Sequence, residues 1–355
     1  MRVAVLWPQL SGYADAMFAA LVAAGHDVLV VHRPSQPDAP FVDDDFDRYE
    51  RLTWPSGSTP DHTATMTAIE RLDPNVVLMS AWHGRTYREV LRVRRGRAVR
   101  VLGMDNQWRG RPKQWLGRVT ASRYLHPLFD AALVSGYPQA EFARRLGFRA
   151  DQVLHGFCSA DTSAFGRSQH ARPHNASGFV FVGRLAPEKG LDVLAQAWDR
   201  YRREGGAWTL DLVGTGPMAE AFDGLAGVQF RGFVQPSSLP GLMAEQGCLV
   251  LPSRFEPWGV VVHEAASAGL PLICTDRVGA RTQFLRPGIN GLVVPAGDAP
   301  ALTRALLHVE HLSAEARTTW SAESRQLGMA LTPQRWAANL VDGARRIGSD
   351  GGLRI

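Results

Sequence analysis

The sequence predicts an α/β protein with two parallel-sheet domains in tandem, and three observations lead to this prediction. Short apolar runs that are typical of buried strands alternate with helical segments along both halves of the chain. A polar, aperiodic stretch at 166–175 separates the two halves as a linker does. The chain has 355 residues, which is more than a single hydrophobic core usually organises. We therefore expect two Rossmann-like, doubly wound domains that face each other across a cleft.

The first domain is assigned to residues 1–165. It opens with a strand at 3–7, a helix at 14–24 that ends at Gly25, and a second strand at 26–31. The stretch 38–60 is rich in Asp and Pro, which predicts an irregular surface insertion. Further apolar runs at 76–79, 99–102 and 131–134 predict three more strands, so this half is expected to form an open parallel sheet.

The second domain is assigned to residues 166–332. Its strands are predicted at 179–182, 210–213, 228–230, 248–251, 272–275 and 292–294. A helix at 191–201 carries a single apolar stripe, formed by Leu191, Leu194, Trp198 and Tyr201. The last segment, 333–355, contains a helical pattern at 333–347 that we expect to pack on the first domain.

Composition restricts the class of protein. The apolar fraction, 45%, is ordinary for a globular protein, and no apolar run approaches the roughly 20 residues that a membrane span requires. The chain passes from Met1 directly into a strand-like segment, without the pattern of a signal peptide. Its three cysteines are far apart, which predicts reduced core residues in a cytoplasmic protein and no disulfide or metal set.

Positive charge is concentrated between Arg85 and Arg123. This segment has eleven arginines and one lysine against two acidic residues, a surplus of ten charges where the whole chain has +5. Trp108, Trp115 and Tyr124 lie within or beside it. One hypothesis is a surface that meets an anionic partner, such as the inner face of a membrane or a lipid-linked diphosphate. The alternative is a solvated helical face, and nucleic acid is not expected because no binding motif accompanies the charge.

Two glutamates, Glu256 and Glu264, lie eight residues apart on either side of a change in backbone type. Pro257 favours extended backbone at Glu256, which therefore belongs to a loop after a buried strand. A short helix begins near Gly259 and contains Glu264. The end of a parallel strand and the start of the next helix commonly surround a phosphate or another anion. Two carboxylates beside such a site indicate a ligand with hydroxyl groups as well as phosphate.

A second loop supplies positive charge. A predicted strand ends at Gly183, and Arg184 and Lys189 follow before the next helix. Two cations at such a turn can hold a diphosphate and neutralise the charge it gains on leaving. Lys189 is one of only two lysines, with Lys113, among 39 basic residues. A lysine in so arginine-rich a chain suggests a need for a compact ammonium group.

Together these loops resemble the donor domain of retaining glycosyltransferases of family 4, which have the GT-B fold. The resemblance rests on Gly183-Arg184-x4-Lys189-Gly190 followed by Pro252-Ser253-x2-Glu256-x7-Glu264, and it covers about 179–309. The first half matches weakly, through 21–28 and Asp161-x3-Phe165. The resemblance implies transfer of a sugar from a nucleotide-diphosphate sugar to a hydroxyl acceptor, with retention of anomeric configuration. It also implies a role in bacterial polysaccharide, lipopolysaccharide or glycolipid assembly, with a carbohydrate or lipid-linked acceptor and neither metal nor cofactor.

The resemblance also implies roles for individual residues. Arg184 and Lys189 would hold the donor diphosphate, together with the amides of Val260 and Val261. Glu256 would contact the transferred sugar beside the amides of Trp258 and Gly259, and Glu264 would bind the ribose hydroxyls. The remaining contacts to the nucleotide would come from Gly214, Gly216, Phe233 and Val234.

The first domain departs from the pattern of the family. Its first loop has only Ser11 and Gly12 where relatives often have a longer glycine-rich turn. Many relatives place a histidine near the sugar at the end of a middle strand, and here Asp105 stands at that strand end. His83 ends the preceding strand and is the other candidate. Asp105, His83 and Glu256 are therefore the expected residues at the reaction centre.

Other functions are compatible with parts of the sequence. Gly214-x-Gly216-x-x-Ala219 fits a dinucleotide fingerprint, but Arg231 stands where an acid is required about 20 residues later, so only an NADP-dependent oxidoreductase would be possible. A glycosidase needs carboxylates that face each other across a sugar. Glu256 and Glu264 come from consecutive elements of one unit, so both are expected on the same side of a ligand. A GT-B sugar-nucleotide epimerase would share the nucleotide site, and a non-catalytic nucleotide-binding subunit would share it without turnover.

Overall fold

The computed structural model describes residues 1–35, 40–41, 46–54, 61–80, 84–168 and 176–352. The chain divides into two compact units. One comprises Met1–Pro37, Phe41–Ser159 and Pro333–Ile355, and the other comprises Asp38–Pro40 and Ala160–Thr332. The division between Ser159 and Ala160 lies six residues before the predicted boundary. In the described part of the chain, no helix has the length and apolarity needed to cross a bilayer.

The first unit contains a parallel sheet of seven strands within the described residues, in the order β3-β2-β1-β4-β5-β6-β7. The strands are β1 (Arg2–Gln9), β2 (Asp27–Arg33), β3 (Glu50–Thr53), β4 (Val76–Met79), β5 (Val99–Met104), β6 (Ala131–Val134) and β7 (Val153–His155). Between them run the helices α1 (Gly12–Ala23), α2 (His62–Leu72), α3 (Arg85–Val93), α4 (Pro112–Tyr124) and α5 (Tyr137–Arg145). The strand order reverses between β1 and β4, as in a doubly wound fold.

The centre of this sheet explains why its strands read as continuous apolar runs. Val3 pairs with Val28 of β2 and with Val76 of β4, and the side chains of 3–6 are fully buried. A central parallel strand covered by helices on both faces has no solvent face, so it shows no alternation of polar residues. One expectation was wrong: the stretch 38–60 is not wholly irregular, because β3 lies within it and pairs in parallel with β2.

The second unit contains a parallel sheet of six strands in the order β10-β9-β8-β11-β12-β13. The strands are β8 (Phe179–Val182), β9 (Leu210–Val213), β10 (Val228–Gly232), β11 (Cys248–Leu251), β12 (Leu272–Thr275) and β13 (Gly291–Val294). The helices are α6 (Thr162–Ser168), α7 (Leu191–Arg203), α8 (Leu239–Ala244), α9 (Val260–Ser267), α10 (Arg281–Phe284), α11 (Ala299–Glu310) and α12 (Ala314–Met329). Here the order reverses between β8 and β11.

An aromatic cluster forms part of the core of the second unit. The rings of Phe179, Trp198 and Tyr201 lie 4.8 to 6.2 Å apart, centroid to centroid, and all three side chains are fully buried. The Trp198 indole N–H donates to the Ala226 carbonyl at 2.9 Å. The apolar stripe predicted for 191–201 therefore faces the sheet, because burial of these rings is the main stabilising contribution of α7.

The last helix, α13 (Pro333–Asp350), belongs to the first unit and packs on α1. Trp336 is fully buried, and its indole N–H donates to the Phe157 carbonyl at 3.0 Å. Gly343 allows the close approach of α13, since a Cβ there would lie 2.5 Å from the Leu154 side chain. The final segment of the chain thus completes the core of the unit that the N-terminus begins.

Candidate functional site

The candidate site lies where the strand order of the second sheet reverses, between β8 and β11. The loops that follow these two strands leave the same edge of the sheet, and the gap between such loops is where open α/β sheets bind ligands. Residues 183–190 form the first loop, and residues 252–259 form the second. The second loop ends at the N-terminus of α9.

The first loop is held close to the second by a glycine. Gly190 has φ +67°, a left-handed conformation that glycine adopts without strain, and a Cβ there would lie 2.3 Å from the Pro252 carbonyl oxygen. Arg184 is half exposed and donates to the Glu188 carboxylate at 2.9 Å. This contact keeps the guanidinium near the mouth of the loop, where solvent still reaches it.

Lys189 and Glu256 form an ion pair across the two loops. The Lys189 ammonium contacts the Glu256 carboxylate, and the two side chains are only 15% and 12% exposed. An ion pair that is largely shielded from water is less screened than a surface pair, so each charge fixes the other in position. The structure therefore brings together two of the residues that the sequence assigned to one ligand.

The backbone of the second loop is fixed by the segment that follows β12. The Glu256 N–H donates to the Arg277 carbonyl at 3.1 Å, and the Gly279 N–H donates to the Glu256 carbonyl at the same distance. The Ala280 N–H donates to the Trp258 carbonyl at 2.8 Å. These bonds fix the backbone that carries the Glu256 side chain next to Lys189.

Gly259 sets the entry into α9. It has φ +89°, and a Cβ there would lie 2.9 Å from Cγ of Glu256. Helix geometry leaves the first N–H groups of α9, beginning with Val260 and Val261, without partners inside the helix. Both residues are half-buried. This turn therefore directs amide hydrogens and the positive end of the helix dipole toward the space beside Glu256.

Two polar groups near this turn are unusual. The Trp258 indole N–H and the Ser253 hydroxyl are buried and have no hydrogen-bond partner among the described residues. A buried polar group without a partner costs about 1–3 kcal/mol. Both residues belong to the loop between β11 and α9, so these two polar groups lie beside the candidate site.

Glu264 lies one turn further along α9. It is half-buried, and burial raises the pKa of its carboxyl from 4.5 to about 7, with a smaller contribution from the charge of Asp161. The structure shows no hydrogen bond to this carboxylate among the described residues. A carboxyl group desolvated in this way is typical of binding sites, where a ligand supplies the missing donors.

His263 was not singled out from the sequence. It is fully buried; its Nδ1 accepts the Ala160 N–H at 3.0 Å and its Nε2–H donates to the Gly328 carbonyl at 2.8 Å. The ring stacks on Phe284 with centroids 4.1 Å apart, and burial lowers its pKa to about 4. A neutral imidazole thus ties α9 to both ends of the second unit. The signal in the sequence was a histidine within an otherwise apolar helix.

Gly214 and Gly216 lie after β9 and pack against the first loop. Their φ angles are +132° and +148°, and a Cβ would lie 2.0 Å from the Gly183 carbonyl oxygen at the first and 2.4 Å from that of Leu185 at the second. Close packing of backbone on backbone therefore explains both glycines. Phe233 and Val234 follow β10 and are half-buried.

The remaining predicted residues belong to the first unit. Ser11 precedes α1, and its hydroxyl is buried without a hydrogen-bond partner among the described residues, while Gly12 begins the helix. Asp105 follows β5, is half-buried, and accepts from the Gln139 side chain through its carbonyl at 2.9 Å. His83 lies outside the described residues. The choice between Asp105 and His83 therefore stays a prediction.

The second of the two doubly wound sheets has, at its switch point, a helix N-terminus suited to an anion and two basic side chains. This combination of fold and site defines a glycosyltransferase of the GT-B class. Residues 176–311 match the sequence profile of the glycosyl transferases of group 1. It is 26% identical over 355 residues to a glycogen synthase from Mycobacterium tuberculosis (strain CDC 1551 / Oshkosh), an alignment that covers 84% of this chain and 82% of that protein. The expected GT-B glycosyltransferase is therefore confirmed.

Solved structures agree on the fold. Sucrose-phosphate synthase from Thermosynechococcus elongatus superimposes with a TM-score of 0.75 at 18% identity, over 99% of this chain and all of that one. HepE from Anabaena, solved in complex with UDP and glucose, superimposes with a TM-score of 0.67 at 16% identity, over 99% of each chain. At these identities the likeness establishes the GT-B fold and no more.

Proposed function

We propose that the protein transfers a sugar from a nucleotide-diphosphate sugar to a hydroxyl acceptor, with retention of anomeric configuration. The observation that carries this proposal is the shielded Lys189–Glu256 ion pair beside the N-terminus of α9. A diphosphate needs positive charge and amide donors, whereas a sugar needs a hydrogen-bond acceptor. The switch point supplies all three within two loops.

The donor diphosphate would lie against Lys189, Arg184 and the first amides of α9, Val260 and Val261. Its negative charge would draw the Lys189 ammonium away from full pairing with Glu256. The Glu256 carboxylate would then accept hydrogen bonds from the sugar hydroxyls, beside the amides of Trp258 and Gly259. The ion pair thus holds both side chains in position until the donor replaces their mutual contact.

Glu264 would accept hydrogen bonds from the ribose hydroxyls of the nucleotide. Its raised pKa supports this role, because the ligand would supply donors to a carboxylate that accepts no hydrogen bond from the residues the structure describes. Gly214, Gly216, Phe233 and Val234 would lie along the nucleotide. The absence of side chains at the two glycines would allow backbone to approach the ligand closely.

The transfer step would need little covalent participation by the protein. The bond from the anomeric carbon to the phosphate oxygen breaks, and a bond to the acceptor oxygen forms on the same face. The acceptor proton passes to the departing phosphate oxygen. Arg184 and Lys189 would stabilise the charge that develops on the diphosphate, which is the largest contribution expected at such a site. Asp105 or His83 would contact the sugar from the first unit.

The acceptor is proposed to be a carbohydrate or a lipid-linked glycan in the assembly of bacterial polysaccharide, lipopolysaccharide or glycolipid, in the cytoplasm. The similarity to glycogen synthase, a polymer-building transferase by its name, supports a hydroxyl acceptor. The GT-B epimerase alternative gains no support, since the matching profile is that of glycosyl transferases and the curated relative reported above is named a glycogen synthase.

The oxidoreductase alternative is weakened by two features. Arg231, which would have to meet a 2′-phosphate, donates instead to the buried carboxylate of Asp211 at 2.8 Å. After Gly216 the chain forms a 3₁₀ helix at Pro217–Phe222, whereas the dinucleotide fingerprint requires the N-terminus of an α-helix.

The test is a thermal-shift panel with UDP-, GDP-, TDP- and ADP-sugars. We expect at least one donor to stabilise the protein, by about 2.7 kcal/mol at a hundredfold excess over its Kd. Lys189→Ala should abolish the shift, whereas Lys113→Ala, the matched loss of the other lysine, should leave it intact. Stabilisation by NADPH with no response to any nucleotide-sugar would overturn the proposal. The anomeric configuration of the product, read by NMR, tests retention separately.

A further inference from the structure

The surface formed by α3 and α4 carries charged and apolar side chains that have no part in the proposed donor site. Between the two helices lies a pocket of about 610 Å³. Its lining includes five basic side chains, from Arg88, Arg92, Arg95, Lys113 and Arg123. All five belong to the first unit, whereas the loops of the candidate donor site belong to the second.

These five cations differ from the other basic residues of the segment. Arg94 and Arg100 are buried and form ion pairs with Asp73 and Asp130, so they stabilise the unit. None of the five pocket cations forms an ion pair within the described part of the chain, and the Nε of Arg88 is buried without a hydrogen-bond partner there. Like charges gathered without counter-charges repel one another, so an anion in this pocket would be stabilising.

Several large apolar side chains of α4 are exposed. Of its 13 residues only Ala121 is buried, while Leu116 is 64% and Val119 is 76% exposed. Trp115 and Tyr124 are also exposed, and the Arg118 guanidinium lies 5.3 Å from the centre of the Trp115 ring. Leu116, Val119 and Trp115 fall on one side of the helix, since residues three and four apart are neighbours. A helix that carries arginines and exposed Trp, Leu and Val together is typical of the interface of a bilayer.

We propose that α3 and α4 form a docking surface for an anionic phospholipid membrane. The pocket takes a lipid phosphate between its cations, while Leu116, Val119 and Trp115 enter the boundary between headgroups and acyl chains. Charge complementarity selects this occupant, because the pocket binds the phosphate and the apolar face has no role with a freely soluble anion. The inference goes beyond the proposed transferase function and does not depend on it.

The experiment is co-sedimentation of the whole protein, without donor, with phosphatidylcholine vesicles that contain or lack phosphatidylglycerol. We expect binding only with the anionic lipid, weakening as salt is raised. Each cation near the surface contributes about a fivefold factor, so Arg92→Ala combined with Arg95→Ala should weaken binding about thirtyfold. Leu116→Ser should weaken it about tenfold by removing apolar contact.

Matched controls separate the surface from general charge and from folding. Arg304→Ala combined with Arg346→Ala removes the same charge from exposed positions on α11 and α13, and it should bind vesicles as the unaltered protein does. Lys189→Ala should also bind normally, and the Arg92, Arg95 and Leu116 variants should keep the thermal shift with the donor. Equal binding to neutral vesicles, equal loss in the control pair, or tight binding to single-stranded RNA without vesicle binding would each overturn the proposal.

Discussion

Replacing Glu264 by glutamine is expected to stabilise the protein in the absence of ligand and to weaken its affinity for the proposed nucleotide-sugar donor. The substitution keeps the shape of the side chain and removes the charge that burial disfavours. Two effects of opposite sign follow from the same carboxyl group. The glutamate costs stability while the site is empty, and the proposed ribose hydroxyls offset that cost when the site is filled.

The magnitude follows from the pKa. Moving the carboxyl pKa from 4.5 to about 7 corresponds to about 3 kcal/mol in the free energy of unfolding once the group is ionised in both states. The folded protein holds this proton more tightly than the unfolded chain does. The stabilising effect of the proton on Glu264 is therefore fully present below pH 4.5 and is lost as the pH rises through 7. The glutamine amide, also lacking a partner, costs about 1 kcal/mol, so the net gain is about 2 kcal/mol at pH 8.

The assay is urea unfolding of both proteins at intervals from pH 5 to pH 8. We expect Glu264→Gln to be no more stable than the unaltered protein at pH 5 and about 2 kcal/mol more stable at pH 8. His263 titrates in the opposite sense over part of this range, but it is present in both proteins and cancels in the difference. Glu245→Gln, at an exposed position of the same unit, should show no such trend.

Donor binding provides the second half of the test. Loss of a charge-assisted hydrogen bond to the ribose should cost about 1.5–3 kcal/mol, which is at least a tenfold rise in Kd by isothermal titration. In the unaltered protein, donor affinity should improve from pH 6 to pH 8 as the carboxyl ionises. A stability difference that is constant across this range, or a variant with unchanged donor affinity, would refute the reasoning.

Two further predictions concern the frame of the site. Gly214→Ala places a Cβ 2.0 Å from the Gly183 carbonyl oxygen at φ +132° and should lower the free energy of unfolding by several kcal/mol, whereas Gly241→Ala, in a helix with open space around it, should be neutral or slightly stabilising. A urea midpoint unchanged by Gly214→Ala would contradict the packing argument. His263→Ala removes the hydrogen bonds of His263 with the Ala160 N–H and the Gly328 carbonyl and should cost about 3–5 kcal/mol. Because burial lowers its pKa from 6.5 to about 4, the stability that neutral His263 contributes is present above pH 6.5 and is lost as the pH falls through 4. The variant should therefore lose less stability on acidification than the unaltered protein, and parallel pH profiles would count against this role.

Most of the fold could be predicted from local pattern, because the strands of both sheets are buried on both faces. The strands β4, β6, β8, β9, β11 and β12 begin and end where the apolar runs predict. The strands that the sequence did not predict, β3 and β7, are short and lie at the edges of the first sheet. β3 has four residues, none fully buried, and is next to an Asp- and Pro-rich stretch, so it offers neither an apolar run nor a clear alternation. Its parallel pairing with β2 defines it as a strand.

The sequence by itself determined which residues could form a donor site, because Arg184, Lys189, Glu256 and Glu264 occur at loop and helix positions whose spacing is set by the chain. It also showed the concentration of arginine that α3 and α4 present. The tertiary structure decided how these groups are arranged. It paired Lys189 with Glu256 across 67 residues, buried Glu264 far enough to raise its pKa, and fixed α9 through His263. It also separated the paired Arg94 and Arg100 from the five pocket cations, which form no ion pair with any residue that the structure describes. The ion pairing, the raised pKa and the position of α9 all depend on burial and on contacts between residues far apart in the chain. A local sequence pattern contains no information about either.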